Sequence, residues 1–386
     1  MSQSSVDEPE ETAGTSVEAR RVDWFELFFD LAFVAFITQL AHNLHGAPGP
    51  FEFLLFVAWS IPAWWAWTNI MVTINPLPTL PVRLLVPALL VSMGVVGLMA
   101  ASVTDSVDRA GAFSLACAAL RLVLLVLWLY RTTRSGRPAG RVILYNGATA
   151  AIWVAAAFVP TPLNFALWAG AILIEVALLR IGRLSRSRSI MVDPAHASER
   201  LGLFMIILMG ESVLSLVTSL SKDWTIESGI AAFVGFAAIC SLAAGFFLFG
   251  MNTMEQGLAR LSDKHDFSGL LDTVMFLPYL LVIGVTMFAA GLSTVVAAPA
   301  DALPTGAAIS LSGGVALFYL TNTIVSIRWG TPLRRLLRWA IPGVPLPLLV
   351  AVLAPHIPAI VTLCVIAGIV LVIIGGSAVA RARTMS

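Results

Sequence analysis

Arg21-Val-Asp-Trp-Phe-Glu-Leu-Phe-Phe-Asp-Leu-Ala-Phe-Val-Ala-Phe-Ile-Thr-Gln-Leu-Ala-His-Asn-Leu44 is long and apolar enough to cross a bilayer as a helix. It nevertheless carries Glu26 and Asp30, four residues apart, so one helix face presents both carboxylates. A charge near the bilayer centre costs roughly 2.5–3.5 kcal/mol on insertion scales. Acids in such a run therefore call for a partner or a function.

The surrounding chain fits a membrane setting. Its 386 residues are 58% hydrophobic and 12% charged, with a mean hydropathy of +0.90. Soluble domains carry about 25% charged residues, so the expected fold class is an all-α polytopic transmembrane helical bundle. Apolar runs near 24–44, 51–73, 82–104, 111–130, 141–159, 163–181, 200–220, 228–250, 270–291, 305–327, 335–354 and 356–378 predict about twelve spans. Pro342, Pro345 and Pro347 interrupt the eleventh, which reads as broken or re-entrant. Of the 23 basic residues, all but Arg109, Lys222 and Arg121 fall on the side of the N-terminus. By the positive-inside rule both termini are expected in the cytoplasm, and the expected location is the bacterial inner membrane.

The expected organisation is a polar cytoplasmic tail over 1–22, six helices over 23–181, a basic loop over 182–199, six helices over 200–380 and a short tail over 381–386. Six spans per half give both halves the same orientation. The tail lacks the pattern of a signal peptide. A net charge of +1 gives no case for nucleic acid, and Cys117, Cys240 and Cys364 stand far apart in apolar runs, with no metal-ligand spacing. Neither lysine completes a phosphate-binding loop, and no zinc-protease or nucleophile-elbow motif occurs. No cofactor, metal or catalytic residue is assigned, and the expected surroundings are lipid.

Depth along the helices at 1.5 Å per residue groups Asp30, Glu211, Arg121 and Glu175 in one half of the membrane, with Glu26 at its edge. Three or four acids against one base predict a cluster in which Arg121 bridges carboxylates and the rest take up protons or a monovalent cation. Glu26 also suits a helix cap behind Asp23, and Glu175 an interfacial role beside Arg180. Trp59, Trp64, Trp65 and Trp67 read as core packing. Gly94, Gly97, Ala151 and Ala155 read as close-packing positions. His42 and His45 read as a loop pair.

Two stretches resemble a known family. Phe25-Glu-Leu-Phe-Phe-Asp-Leu-Ala-Phe-Val-Ala-Phe-Ile-Thr-Gln-Leu40 looks like the opening helix of the bacterial low temperature requirement protein A family. Asp193-Pro-Ala-His-Ala-Ser-Glu-Arg-Leu-Gly-Leu-Phe-Met-Ile-Ile-Leu-Met-Gly-Glu-Ser-Val-Leu214 is similar to that family's segment around span seven, and Trp59 to Trp67 to its aromatic cluster. The resemblance implies a multi-spanning inner-membrane protein named for growth in the cold. It adds His196, Glu199, Arg200 and Trp65 as signature positions, and maps the family acids to Glu26, Asp30, Glu199 and Glu211. The chain departs from the pattern at Phe249-Gly-Met-Asn252 and at Phe276-Leu-Pro278, where an acid and a histidine are expected. The functional expectation is a proton- or cation-dependent transporter or channel. The alternatives are an intramembrane lipid-acting enzyme, and a sensor or structural protein for cold growth.

Overall fold

A computed structural model describes residues 24–75, 80–103, 107–136, 138–184, 194–263 and 267–385. The expected tail 1–22, residues 185–193 of the basic loop 182–199 and Ser386 lie outside the described residues.

The described residues form a polytopic helical bundle. Its helices are α1 (Trp24–His42), α2 (Pro50–Ile74), α3 (Val82–Ser102), α4 (Ala110–Arg134), α5 (residues 140–156), α6 (Leu163–Leu184), α7 (Pro194–Lys222), α8 (residues 226–263), α9 (Phe267–Ala297), α10 (Thr305–Arg328), α11 (Leu333–Gly343 and Pro345–Leu353) and α12 (Ala359–Met385). Eleven are long and apolar enough to cross a membrane; α5 is shorter. It winds as α-helix over Gly140–Val142, widens to a π-helical turn over Ile143–Ala148 and ends as α-helix over Thr149–Ala156. A second π turn, Phe246–Gly250, interrupts α8 at the Phe249-Gly-Met-Asn252 departure.

Apolar length makes these segments helical, because in lipid each backbone N–H must be satisfied within the segment. Hydroxyls in the helices do the same: Thr38, Ser92, Ser114, Ser212, Thr286 and Thr321 each donate to the carbonyl four residues back. Caps set several ends. Thr225 accepts from the Ser228 N–H at 3.0 Å to start α8, and Glu52 accepts from the Gly49 N–H at 2.8 Å ahead of Pro50.

The eleventh segment, though broken, runs from one end of the bundle to the other. It leaves the same end of the bundle as the C-terminus of α10. It arrives where Ala302 bridges Pro358 and the Ala359 N–H donates to Asp301 at 2.8 Å. Asp301 and Ala302 belong to the turn between α9 and α10 at the opposite end, so α11 and α12 both run the full height.

The close-packing glycines are not those expected. Gly94 and Gly97 face open space, and Ala151 and Ala155 are exposed. The tight contact is between α9 and α10. A Cβ on Gly314 would lie 2.5 Å from the Gly284 carbonyl oxygen and the Phe288 nitrogen, and one on Gly291 would lie 2.4 Å from the Leu311 nitrogen. Sequence alone could not separate glycines facing a neighbour from glycines facing lipid, because both sit in uniformly apolar runs. Backbone atoms cannot yield as a flexible side chain would, so overpacking here costs about 1–3 kcal/mol or more. Gly314→Leu should therefore lower the melting temperature of the purified protein by several degrees or abolish its folding. Gly94→Ala should leave it unchanged within about a degree or raise it, since alanine is the better helix former.

Candidate functional site

The two carboxylates of α1 meet two bases of α7. Glu26 and Asp30 are the third and seventh residues of α1, and His196 and Arg200 are the third and seventh of α7. Both pairs are spaced i, i+4, so each occupies one face of its helix. Two parallel helices in register then bring acid to base at successive turns. The Arg200 guanidinium clasps Asp30 side-on, Nε to Oδ2 at 3.1 Å and Nη2 to Oδ1 at 2.9 Å. One turn nearer the N-terminal end, His196 Nε2 lies 3.0 Å from Glu26 Oε2, and Arg200 Nη1 reaches that same oxygen at 3.9 Å. All four side chains are sealed, at most 1% exposed.

α2 completes the shell. The Trp67 indole N–H donates to Asp30 Oδ1 at 2.8 Å, and the guanidinium carbon of Arg200 stands 5.7 Å from the centre of the Trp67 ring and 6.0 Å from that of Phe29. Planar, delocalised and weakly hydrated, guanidinium suits such a dry, stacked, two-pronged contact better than ammonium does. Among the described residues, the fixed cation beside Glu26 and Asp30 is Arg200.

Arg121 and Glu175 form a separate pair among the first six helices. The Arg121 guanidinium and the Trp65 indole N–H both contact Glu175 Oε2. Arg121 also stands 5.8 Å from the centre of the Tyr145 ring. The Tyr145 hydroxyl donates to Asn69 Oδ1 at 2.9 Å, and Asn69 Nδ2 donates to the Trp65 carbonyl at 2.7 Å. Tyr145 sits in the π turn of α5, and that widening is where α5 meets Arg121 and Asn69. Trp65 and Trp67 are two residues apart and so lie on opposite sides of α2. One helix thus donates an indole N–H to Asp30 in the ladder and to Glu175 in the second pair.

The expected single cluster therefore resolves into two. Asp30 and Glu26 pair with Arg200 and His196; Arg121 pairs with Glu175, not with Asp30. Glu211 joins neither. It is half-buried, eleven residues further along α7 than Arg200, and no hydrogen bond or ion pair engages it among the described residues. Glu199 is exposed, turned away from the face that carries His196 and Arg200. Phe276, at the departure from the family pattern, stacks on Trp65 with ring centres 6.1 Å apart. Sequence reading began the seventh span at Arg200, whereas the helix begins at Pro194. That offset put His196 in a loop and hid the matching positions on α1 and α7. Trp67 was read as packing, and its donor role was missed; the signal was an indole N–H forced to find an acceptor inside a membrane.

Fold and site together define a multi-spanning helical membrane protein in which a buried charge ladder joins the first helix to the seventh. The chain belongs to the bacterial low temperature requirement A protein (LtrA) family, whose profile matches residues 21–377. It is also 28% identical over 211 residues to an uncharacterised protein of Rhizobium meliloti (strain 1021). That match covers 50% of this chain and 49% of the relative, so the chain aligns with about half of the relative's length.

At the other end of α1, His42 and His45 pack edge to face with ring centres 5.0 Å apart. Burial, then the nearby His42 and Lys222, pushes His45 down from 6.5 to about 4. The unfolded chain thus binds the extra proton between those values. Any stability from keeping His45 neutral is complete above about pH 6.5 and lost as the pH falls towards about 4. Denaturation at pH 7 and pH 5 should show a smaller acid-induced loss in His45→Gln than in wild type.

Removing one partner of a buried ion pair leaves the other uncompensated, at a cost of about 3–5 kcal/mol. Arg200→Ala strands two carboxylates and should cost that much in unfolding measurements. Trp67→Phe removes one hydrogen bond to a charged group and should cost about 1.5–3 kcal/mol.

Proposed function

We propose that this protein is a proton- or cation-dependent transporter of the bacterial inner membrane, and that the ladder between α1 and α7 is both its ion site and its joint. The carrying observation is a sealed ladder of two carboxylates, a histidine and an arginine standing between the first six helices and the last six. With Glu26 and His196 both deprotonated, these four side chains together carry one net negative charge. A proton or a monovalent cation restores neutrality. In this reading neutrality holds α1 against α7, and losing the ion frees one set of helices to move on the other.

The packing supports the halves as moving bodies. The helix neighbours repeat: α1 packs on α3 as α7 packs on α9, and α3 on α4 as α9 on α10. Alternating access in transporters built from repeats commonly rocks one set against the other around a site at their interface. The closed ladder then corresponds to an occluded state.

A second reading rests on the same closure. Each ladder carboxylate has a donor, and the small cavities nearby have room for no more than about one water each. A ladder that never opens would be a static clasp in a sensor or structural protein of cold growth.

Proteoliposomes with an internal pH dye, under imposed K⁺, Na⁺ or pH gradients, separate the two. Transport predicts flux in the wild type, its loss in Asp30→Asn with membrane insertion retained, and a changed pH dependence in Glu26→Gln. Undiminished flux in both variants would remove the ladder from the mechanism, and absence of wild-type flux under every gradient would favour the clasp.

A further inference from the structure

The first half of α11, Leu333-Arg-Arg-Leu-Leu-Arg-Trp-Ala-Ile-Pro-Gly343, presents three different faces. One is buried, at Leu336 and Gly343. It pins the segment to α10: a Cβ on Gly343 would lie 2.5 Å from Tyr319 Cγ, and the Trp339 and Tyr319 ring centres stand 6.3 Å apart. The second is an exposed apolar stripe of Leu333, Leu337 and Ile341, spaced four residues apart. The third is an exposed basic stripe of Arg334, Arg335 and Arg338. Positions i, i+1 and i+4 fall within about 100° of one another around a helix, so the three guanidinium stems start from one side.

The protein gives this stripe nothing to pair with. Among the described residues, no hydrogen bond or ion pair engages Arg334, Arg335 or Arg338. No acid occurs in the sequence from Ala302 to Ser386, so α10, α11 and α12 cannot supply one. Nearby, Arg260 and Arg328 are spent on backbone: they donate to the carbonyls of Trp329 at 3.4 Å and Gly269 at 3.1 Å, at the turn that leads into α11. A purely topological role asks for less. The positive-inside rule is met by basic residues in connecting loops, whereas these three are aligned on a helix beside leucines that face outward. A helix whose exposed surface divides lengthwise into apolar and arginine stripes suits a membrane interface, with acyl chains on one stripe and headgroups on the other. The guanidinium fork also matches the oxygens of a phosphate two at a time.

We propose that the first half of α11 is a docking site for an anionic phospholipid of the surrounding leaflet. Arg334, Arg335 and Arg338 hold the headgroup phosphate, and Leu333, Leu337 and Ile341 lie along the acyl chains. Net negative charge on the lipid sets the preference, because each arginine near the surface adds to the attraction. This binding does not depend on the transport reading.

The test uses the full-length protein in a nonionic detergent, titrated with phosphatidylglycerol or with phosphatidylcholine of the same acyl chains. Bound lipid is counted by native mass spectrometry and stability is followed by thermal unfolding. The expected result is saturable binding and stabilisation by phosphatidylglycerol over phosphatidylcholine. The triple variant Arg334→Gln, Arg335→Gln, Arg338→Gln changes only exposed side chains, so it should fold, and it should bind phosphatidylglycerol at least about tenfold more weakly. The triple variant Arg83→Gln, Arg134→Gln, Arg141→Gln removes as many exposed charges from the first six helices and should leave that affinity unchanged. Phosphatidylglycerol performing no better than phosphatidylcholine would overturn the site. So would affinity that survives the α11 variant, or an equal loss in both variants, which would reduce the effect to overall charge.

Discussion

The side-on contact of Arg200 with Asp30 governs the packing around it. Two opposite charges taken out of water lose several kcal/mol each in hydration, and attraction repays this only when geometry is good and the remaining polar atoms are served. Here the repayment fixes structure at several levels. α1 and α7 must run parallel and in register, so that Glu26 falls opposite His196 when Asp30 falls opposite Arg200. α2 must place Trp67 where its N–H reaches Asp30. Phe29 and Trp67 then flank the buried guanidinium, and Phe33 and Phe204 pack on Trp67.

The same rule operates around Glu175, with a different consequence. Arg121, Trp65 and the chain from Tyr145 to Asn69 tie α2, α4, α5 and α6 together by polar contacts within the first six helices. That pair braces one set of helices internally. The ladder is the charged contact that passes from α1 to α7. The difference is why the functional reading is placed on Asp30 and not on Arg121, although both lie deep in the bundle.

Much of the fold was legible because a membrane leaves few options. Apolar run length marks each helix, although the run at 141–159 folds into a helix too short to count among the eleven candidate spans. The prolines at 342, 345 and 347 announced the break in α11. Partner choice was less legible. Asp30 and Glu211 look alike in sequence, each an acid in an apolar run, but only a correct start for α7 reveals that the counterpart of Asp30 is Arg200. Hydropathy does not see that start, because Pro194 to Glu199 is polar and reads as loop. The resemblance to a known family did single out His196 and Arg200, without saying what they touch. The glycines failed for another reason: Gly94 and Gly314 occupy similar apolar runs, and only packing distinguishes lipid from a neighbouring backbone.

The central claim is that α1 and α7 are held in register by complementary charge, and a charge swap tests it most directly. Asp30→Arg alone and Arg200→Asp alone each place two like charges in a sealed site and should sharply reduce the yield of folded protein extracted from membranes. The double variant restores one acid against one base at the same turn. The account predicts that its folded yield, read by size-exclusion chromatography of a fluorescent fusion, exceeds that of either single variant. A double variant no better than the worse single would contradict it.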